Sequence, residues 1–486
     1  MVKKGECFGE LLDLDDVANL LVGSQVGDLS RKKHFMKTPQ VNKRGEKKMN
    51  AKKKRCAVVG IGHRAYSWLD AIVKTYPKQV ELTALCDTHI GRCEDVGKYY
   101  HITTANYTDY DRMLSEIKPD LVIVVSPEHV HTEHIVKALD ASCGVATEKP
   151  LCIKAEDVAR ILDAEQRSGK KVFMGFNCRH IPLCSKIKEL ITSGVIGAPV
   201  SADLTWYLNY KGHGASYFRR WHRIMAKSGG LLITKGTHHF DLANWWIGDR
   251  PGSVFALCSL NFFGKGKGKF KGTRCRDCTH KTDCEFFFDI KDNERKAAGL
   301  GYKVNTVRDY DGDGCVFSEE IDIYDTMAVL VRYKNGAVLN YSLNASVPFE
   351  GWNLAINGTK GRLESKITDN KPSPGWQEKY QIASPDGKTL KGKGFKITDW
   401  PADYGIHVIP HDGDDYQINV PNCAEGHGGG DFKIFDALFK GTLAGGDPLG
   451  IYASAIDGVS SMIIGAAANM SARTGEVIDI EKLLRG

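Results

Sequence analysis

A glycine turn near residue 60 constrains the fold more than any other feature of this sequence. Residues 56–60 read CAVVG, an apolar run typical of a buried strand, and Gly60, Gly62 and Ala65 follow in the spacing G-x-G-x-x-A. The first glycine permits a tight turn, the second lets the backbone approach a diphosphate, and the small third residue lets a helix pack on the strand. The motif predicts a dinucleotide-binding α/β unit, although the pattern alone also fits an ordinary glycine turn in a chain with 51 glycines.

A second apolar run, VELTALCD, ends at Asp87, 22 residues after Ala65. A carboxylate at the end of the second strand can accept hydrogen bonds from both hydroxyls of the adenosine ribose, and it would repel a 2′-phosphate. The pattern therefore favours NAD over NADP as the cofactor. Arg92, five positions further on, keeps NADP open as the alternative.

Apolar strand patterns alternate with helical patterns from residue 54 to about residue 175, at the spacing of parallel crossover units. This predicts a doubly wound parallel sheet of the Rossmann type over residues 54–176. Ligands of such sheets bind beyond the carboxyl ends of the strands. Besides Gly60, Gly62 and Asp87, the residues predicted to contact the cofactor there are His63, Arg64, Ser126, Pro127, His131, Glu148, Lys149 and Asn177.

After Asn177 the residue pattern changes to longer, β-rich runs separated by helical segments. It predicts a second, α+β domain over residues 177–486 with an open, largely antiparallel sheet, used for substrate binding and oligomerisation. Two stretches look like insertions, a Lys-, Gly- and Cys-rich one at about 264–310 and a polar one at about 366–430.

The net charge of +7 is concentrated near the N-terminus. Residues 31–55 contain twelve Lys or Arg and one acid, so this segment carries +11 and the rest of the chain about −4. We expect residues 1–53 to be a basic, disordered extension, or translation to start at Met49. A nucleic-acid-binding arm is the alternative, but no aromatic residues alternate with the basic ones, so nucleic acid is not an expected partner.

The remaining composition is that of a soluble globular protein, with 42% hydrophobic and 26% charged residues. No apolar stretch is long enough to span a bilayer, and the first residues lack the apolar core of a signal peptide. Fourteen cysteines in a chain of this size suit a reducing compartment better than a disulfide scaffold. These features predict a cytoplasmic protein without a membrane partner.

Several short motifs together resemble one protein family. They are Gly60-Ile-Gly62, Ser126-Pro127-x-x-x-His131, Glu148-Lys149-Pro150, Gly175-Phe-Asn177, Gly229-Gly230 and His238-x-x-Asp241. Over residues 54–486 the chain resembles the glucose-fructose oxidoreductase and inositol dehydrogenase family (Gfo/Idh/MocA), in particular a subgroup with a Cys-rich insert. The resemblance implies a homo-oligomeric enzyme that oxidises a secondary hydroxyl of a sugar or cyclitol with a tightly held nicotinamide cofactor.

Hydride loss from a carbinol carbon leaves charge on oxygen, so the site must remove a proton and stabilise an alkoxide. Lys149 is predicted to supply the positive field and His238 to exchange the proton, with His239 as the competing candidate. The resemblance places His238 on the catalytic position. One departure concerns Thr234, because many relatives carry an aspartate four residues before that histidine, and here Lys235 stands beside it.

Aromatic side chains after residue 200 can stack on the apolar face of a sugar. Trp206, Tyr210 and Trp221 are predicted to contact the substrate, together with Lys235 and His239. Several aromatic residues in this region are alternatively part of the core.

Two patterns suggest metal ions. Cys275, Cys278 and Cys284 in the first insertion suit a structural zinc if His280, Cys258 or Cys315 adds a fourth ligand; free cysteines that pack within a loop are the alternative. Residues 309–320 match a calcium-loop expression, but the flanking helices are missing from the pattern, so a Gly/Asp turn is favoured.

Three functions remain open from the sequence. The leading one is an NAD-dependent dehydrogenase acting on a ring alcohol of a sugar, glycoside or cyclitol. A redox-neutral glycosidase, in which oxidation, elimination, hydration and reduction follow one another, would use the same residues. A non-catalytic nucleotide-sensing protein is the third, and the presence of both Lys149 and His238 argues against it.

Overall fold

The computed structural model describes residues 53–270, 272–290, 312–369, 382–383, 389–390, 403–421, 430–440 and 447–485. The predicted N-terminal extension, apart from residue 53, and the aspartates Asp309 and Asp311 of the calcium-loop pattern lie outside the described residues.

A six-stranded parallel sheet forms the first domain, in the order β3-β2-β1-β4-β5-β6. Its strands are almost wholly apolar because both faces are covered, which is the usual condition of a parallel sheet. In β1, for example, Ala57 and Val59 pack into one cluster and Cys56 and Val58 into the other. The strands are β1 (Lys54–Val59), β2 (Val80–Cys86), β3 (Ala105–Tyr107), β4 (Leu121–Val124), β5 (Gly144–Thr147) and β6 (Val172–Met174).

Five helices of the first domain lie between these strands. Helices α1 and α2 cover one face, and α3, α4 and α5 cover the other, where the core continues into the second domain. They are α1 (Ala65–Asp70, continued by a π-helical turn at Ala71–Thr75), α2 (Ile90–Tyr100), α3 (Tyr110–Ile117), α4 (His131–Asp140) and α5 (Asp157–Ser168).

A nine-stranded sheet forms the second domain, in the order β16-β15-β12-β11-β7-β10-β9-β8-β17. All neighbouring strands pair antiparallel except β7 and β10, which are parallel. The strands are β7 (Pro199–Asn209), β8 (Pro251–Ser259), β9 (Thr326–Tyr333), β10 (Val338–Val347), β11 (Glu350–Gly358), β12 (Gly361–Asp369), β15 (Asp403–Pro410), β16 (Tyr416–Pro421) and β17 (Ile478–Asp479); β13 (Ile382–Ala383) and β14 (Thr389–Leu390) form a separate hairpin.

Eight further helices follow the first domain in the described parts of the chain. They are α6 (Pro182–Thr192), α7 (His213–Arg219), α8 (Met225–Ser228), α9 (Leu231–Thr234), α10 (Gly236–Ile247), α11 (Gly430–Lys440), α12 (Ala455–Thr474) and α13 (Ile480–Arg485). The predicted fold class, a Rossmann-type parallel sheet followed by an α+β domain with a largely antiparallel sheet, is confirmed.

Helix α12 joins the two domains and positions the segment that precedes α10. It is buried along most of its length and begins with a capping box at Ser454 and Asp457. A Cβ on Gly465 would lie 2.4 Å from the Leu232 carbonyl oxygen, so only glycine allows α12 to approach α9 this closely. The position of α9 therefore depends on the packing of α12.

The stretch at 366–430, predicted to be a polar insertion, contributes structure where it is described. Strands β15 and β16 extend the nine-stranded sheet at its edge, where β15 pairs with β12 and β16 pairs with β15. Periodicity did not reveal them because an edge strand has few buried neighbours and β16 is mostly exposed.

A buried ion pair links three distant segments. The Arg179 guanidinium, 3% exposed, donates to both carboxylate oxygens of Asp241 at 2.6 and 2.9 Å and to Asp457 at 2.8 Å. Arg179 therefore connects the start of the second domain with α10 and α12.

Replacing Arg179 with Met should lower the free energy of unfolding by about 3–5 kcal/mol, because it leaves the Asp241 carboxylate buried without a counter-ion. Denaturant titration of purified variants would measure this. Lys186→Met, which removes the exposed pair with Glu189, is the matched control and should change stability by less than about 1 kcal/mol. Equal stability of the two variants would contradict the role given to Arg179.

Candidate active site

The glycine turn lies directly against the end of a neighbouring strand. Gly60 has φ +88°, and a Cβ there would lie 2.5 Å from the backbone of Ser126, so this position requires glycine for its conformation and for its contact. A Cβ on Gly62 would meet no protein atom within 4 Å. The space beside Gly62 is thus open to a diphosphate, and the turn fits the dinucleotide that its sequence predicts.

Asp87 closes the opposite side of this turn. One carboxylate oxygen accepts a hydrogen bond from the Ile61 amide at 2.7 Å, and the other accepts one from the His89 amide at 2.9 Å. The Arg92 guanidinium lies 3.2 Å from the same carboxylate. Asp87 therefore holds the ends of β1 and β2 together, and Arg92 is engaged by this aspartate.

His131 holds two loops of the cofactor edge together. Its ring is 1% exposed, and its nitrogens lie 2.7 Å from the Pro150 carbonyl oxygen and 2.8 Å from that of Ser126. Ser126, followed by Pro127, also contacts His134 through its hydroxyl at 2.9 Å. The structure thus places His131 behind the Ser-Pro and Glu-Lys-Pro segments, where it positions them.

Arg64 and Glu148 belong to a charged network that reaches the C-terminal part of the chain. Arg64 donates to Glu148 at 2.6 Å and through two nitrogens to Asp431 at 2.8 and 2.9 Å, while Asn177 donates to Asp431 at 2.8 Å. Glu148 also accepts from the Trp68 indole at 3.0 Å. Asp431, the second residue of α11, was not among the site residues predicted from the sequence.

Lys149 extends from the end of β5 to the second domain. Its ammonium donates to the Thr234 carbonyl oxygen at 2.7 Å. Burial lowers the pKa of Lys149, and the nearby carboxylates of Glu128 and Glu148 oppose this effect. The contact brings Lys149 to the last residue of α9, immediately before the helix that carries His238.

His238 lies in the first turn of α10 and is 8% exposed. Its ring faces that of Phe176, from the segment that follows β6, at a centroid distance of 6.0 Å. Its backbone amide donates to the Lys235 carbonyl oxygen at 3.2 Å. Groups from the nucleotide-binding domain, Lys149 and Phe176, therefore contact both ends of the segment 234–238.

Glu128 supplies a buried carboxylate next to Thr234. It is 6% exposed and accepts hydrogen bonds from the Thr234 hydroxyl at 2.8 Å and the Trp221 indole at 2.7 Å, with His222 Nε2 at 3.0 Å. Burial alone would raise the pKa of Glu128, but His222, Lys149 and Trp221 together hold this pKa well below its ordinary value. An anionic carboxylate thus stands beside Lys149, although position 234 is a threonine.

Glu128 was not among the site residues predicted from the sequence. Glu128 directly follows the Ser126-Pro127 pair at the carboxyl end of β4. Its position on the cofactor edge could therefore have been predicted from the sequence. Its partners Thr234 and His222 are about a hundred positions away along the chain, and only folding joins them.

The predicted substrate contacts fall into two groups. Trp206 and Lys235 are half-buried, with the Lys235 ammonium 5.6 Å from the Trp206 ring centroid, and Trp221 contacts Glu128. His239 is 0% exposed, stacks on Trp206 at 3.7 Å and lies 2.7 Å from the Tyr341 hydroxyl. The prediction that His239 contacts substrate is therefore corrected, because its ring supports Trp206 from the core.

Tyr210, the remaining predicted substrate contact, packs edge-on against Phe262 and Phe286, with ring centroids at 6.0 and 5.8 Å. It is half-buried in this aromatic cluster. The structure places it beside the Cys-containing insert.

The zinc site predicted at Cys275, Cys278 and Cys284 is not supported. These three cysteines line one cavity with Cys315. Within the described parts of the chain, however, no three or more His, Cys, Asp or Glu side chains are grouped so that they could hold a metal ion. The Cys275 sulfur instead accepts a hydrogen bond from Arg219 at 3.4 Å. Free cysteines that pack within the loop agree with this arrangement.

In the described part of the calcium-loop pattern, the aspartate forms an ion pair. Asp313 is 0% exposed and forms an ion pair with Arg276 at 2.7 Å. Its carboxylate is thereby occupied by an arginine.

Of the helices in the described ranges, none has the length and apolarity needed to cross a membrane.

Comparison with other proteins shows similarity along most of the chain. The protein from Bacillus subtilis (strain 168) called YteT, named as an oxidoreductase, is 35% identical over 458 residues, which are 89% of this chain and 99% of that protein. Inositol 2-dehydrogenase of Salmonella typhimurium is 33% identical over 147 residues, 30% of this chain and 44% of that enzyme. D-glucoside 3-dehydrogenase of Escherichia coli (strain K12) is 28% identical over 197 residues, 40% of this chain and 54% of that enzyme.

Solved structures share the fold. Aldose-aldose oxidoreductase from Caulobacter crescentus has a TM-score of 0.57 at 16% identity, over 88% of this chain and 100% of the other. A levoglucosan dehydrogenase solved with NADH has a TM-score of 0.59 at 16% identity, over 88% and 99%. These matches concern the architecture of the two domains.

Two family models match the chain in succession. The model of the oxidoreductase family with an NAD-binding Rossmann fold matches residues 54–176, and the model of the family's C-terminal α/β domain matches residues 188–480. Together they cover both domains of the structure. The chain therefore belongs to the Gfo/Idh/MocA family of oxidoreductases.

Proposed function

We propose that this protein is an NAD-dependent dehydrogenase that oxidises a ring secondary hydroxyl of a sugar, glycoside or cyclitol by hydride transfer. The observation that carries the proposal is the 2.7 Å hydrogen bond from Lys149 to Thr234, which joins the nucleotide-binding edge to the segment that leads into His238. Relatives named inositol 2-dehydrogenase and D-glucoside 3-dehydrogenase support a ring alcohol as the substrate class.

NAD, when bound, supplies the hydride acceptor. The open space beside Gly62 and the amides after it would hold the diphosphate, and Asp87 would hold the adenosine ribose. We propose NAD rather than NADP because Asp87 keeps a carboxylate at this point and already engages Arg92, the residue that a 2′-phosphate would need.

Lys149 is the proposed electrostatic catalyst. Its half-buried ammonium stands where little water can screen it, so its field acts strongly on the oxygen of a bound alcohol. Because burial lowers the pKa of Lys149, a neighbouring anion is needed to keep the ammonium charged. Glu128 meets this need.

His238 is the proposed acid/base group. It lies four residues after Thr234, whose carbonyl oxygen holds Lys149, so both groups belong to the same region of the cleft. A neutral imidazole there can take the hydroxyl proton as the hydride leaves the carbinol carbon. The burial of His239 in the core supports the choice of His238 over its neighbour.

Glu128 is proposed to perform the part that an aspartate at position 234 has in the resembling enzymes. Its carboxylate reaches Thr234 from the other domain, through a hydroxyl that donates at 2.8 Å. The negative charge thus comes from the loop after β4. The Thr234 hydroxyl links this carboxylate to the segment that leads into His238.

Product analysis distinguishes the two catalytic alternatives. Stoichiometric NADH and a ketosugar from a panel of sugars, glycosides and cyclitols would support dehydrogenation. Release of the aglycone without net NADH would support the redox-neutral glycosidase instead.

We also propose that the protein is a homo-oligomer through the second sheet. Strands β8 and β9 expose Leu257 (67%) and Leu330 (48%) on the face turned away from the core, and Val338 on β10 is 40% exposed. Adjacent exposed apolar residues on a broad sheet are typical of an interface.

Replacing Lys149 with Met should reduce turnover by about 10²-fold or more, because the charge that stabilises the alkoxide is lost, while NADH still binds. Steady-state rates and NADH fluorescence titration would measure the two effects. Lys154→Met, which changes an exposed lysine five positions away, is the control and should retain full activity. Near-normal turnover of the Lys149 variant would refute its role.

Replacing Glu128 with Gln should shift the alkaline limit of kcat/KM to lower pH by about one unit. The carboxylate raises the pKa of Lys149, so its loss lowers that pKa and the ammonium is deprotonated at a lower pH. A pH profile of the enzyme against its best substrate measures the shift. Glu133→Gln, at an exposed position on α4, should leave the profile unchanged; identical profiles for all three proteins would exclude the coupling.

A further inference from the structure

The Lys235 side chain is a half-buried cation at the cleft with few interactions of its own. It stands between α9 and α10, directly after Thr234. Its ammonium lies 5.6 Å from the Trp206 ring centroid, and no described residue forms a hydrogen bond or an ion pair with it. Such a group usually has a counter-ion, because removing an ammonium from water without one is costly.

Two carboxylates of this region, those of Glu128 and Glu350, have hydrogen-bond partners other than Lys235. Glu128 accepts hydrogen bonds from Thr234 and Trp221 and contacts His222. Glu350 lies 2.8 Å from His213 Nδ1 and accepts from the Asn209 amide at 2.8 Å. Neither approaches Lys235 within ion-pair distance.

The other ionisable groups that face Lys235 do not compensate its charge. Burial raises the pKa of the Cys178 thiol to about 11, so it is neutral at ordinary pH. Desolvation, followed by repulsion from Lys235, lowers the pKa of His213 and that of His239, so both imidazoles are neutral. Lys149 is a second cation that repels Lys235.

The reacting end of the cleft therefore holds two ammonium groups near Thr234. Glu128 and Glu148 partly offset the charge of Lys149, whereas Glu350 acts on Lys235 only from beyond ion-pair distance. The nicotinamide ring of NAD, where it binds, is itself cationic. A neutral sugar would leave the Lys235 ammonium without a direct ion-pair partner among the described residues in a partly desolvated site.

We propose that the natural substrate carries a carboxylate, as a glycuronic or aldonic acid does, and that Lys235 binds this carboxylate while Lys149 acts on the hydroxyl that is oxidised. The inference rests on the proposed function and specifies its substrate class. Trp206, which is half-buried beside Lys235, adds apolar surface against which the sugar ring can pack. A single lysine matches the single negative charge of a carboxylate better than the double charge of a phosphate.

The first test compares uronates and aldonates with the corresponding neutral sugars and sugar phosphates on the intact protein, following NADH formation. We expect kcat/KM for an acid to exceed that for its neutral counterpart by about 10-fold to 100-fold, the range of one charge-assisted hydrogen bond. The KM for the acid should rise with added NaCl. A preference for neutral sugars or for sugar phosphates would overturn the proposal.

The second test uses Lys235→Met and Lys235→Arg. The Met variant should raise the KM for the acid by about 10-fold to 100-fold and remove its advantage over the neutral sugar, and the Arg variant should restore part of it. Lys366→Met, at an exposed position on β12, is the control. An equal loss with acid and neutral sugar would indicate a structural role and contradict the inference.

Binding measurements distinguish a failure of this inference from a failure of the proposed function. Isothermal titration of galacturonate or glucuronate into the NAD-loaded protein measures affinity without turnover, and Lys235→Met should weaken it by the same factor. Acid binding that depends on Lys235, without NADH formation, would support the inference and reject the dehydrogenase. Turnover of ring alcohols whose affinity is independent of Lys235 would do the reverse.

Discussion

The hydrogen bond from Lys149 to the Thr234 carbonyl oxygen is the contact on which the rest of the candidate active site depends. It links the carboxyl edge of a parallel sheet to the turn before α10, so a charged group from one domain and a histidine from the other meet at one cleft. An ammonium in a half-buried position keeps its charge only with help from nearby anions. The arrangement of carboxylates around this contact therefore determines what the site can do.

Two polar networks keep the domains in this relation. In one, Glu128 connects the loop after β4 with Thr234 and with His222. In the other, Arg64 connects the glycine turn with Glu148 and, through two hydrogen bonds, with Asp431. Both networks connect segments that lie far apart in the chain. The energy of buried charge pairs of this kind depends strongly on their geometry. They explain how loops at a sheet edge can hold the proposed catalytic groups in fixed positions.

The sequence predicted the parts of the site that depend on local chemistry. The turn at Gly60, the aspartate at the end of β2 and the position of Lys149 after β5 follow from patterns of a few residues. The predictions that needed spatial neighbours were less successful. The zinc site at the clustered cysteines is not supported, and His239 proved to be a core residue because its neighbours Trp206 and Tyr341 come from strands that are distant in sequence.

The sequence by itself determined the class of fold and the chemistry that is available, because strand periodicity, glycine spacing and the presence of a lysine and a histidine in their motifs are local properties. Only the tertiary structure decided that Glu128 reaches Thr234 beside Lys149 and that Lys235 has no hydrogen-bond or ion-pair partner among the described residues. Contacts such as Glu128–Thr234 and Glu350–His213 join residues about one hundred positions apart or more. Electrostatic energy depends on distance in space and on burial, and neither quantity follows from the order of residues alone.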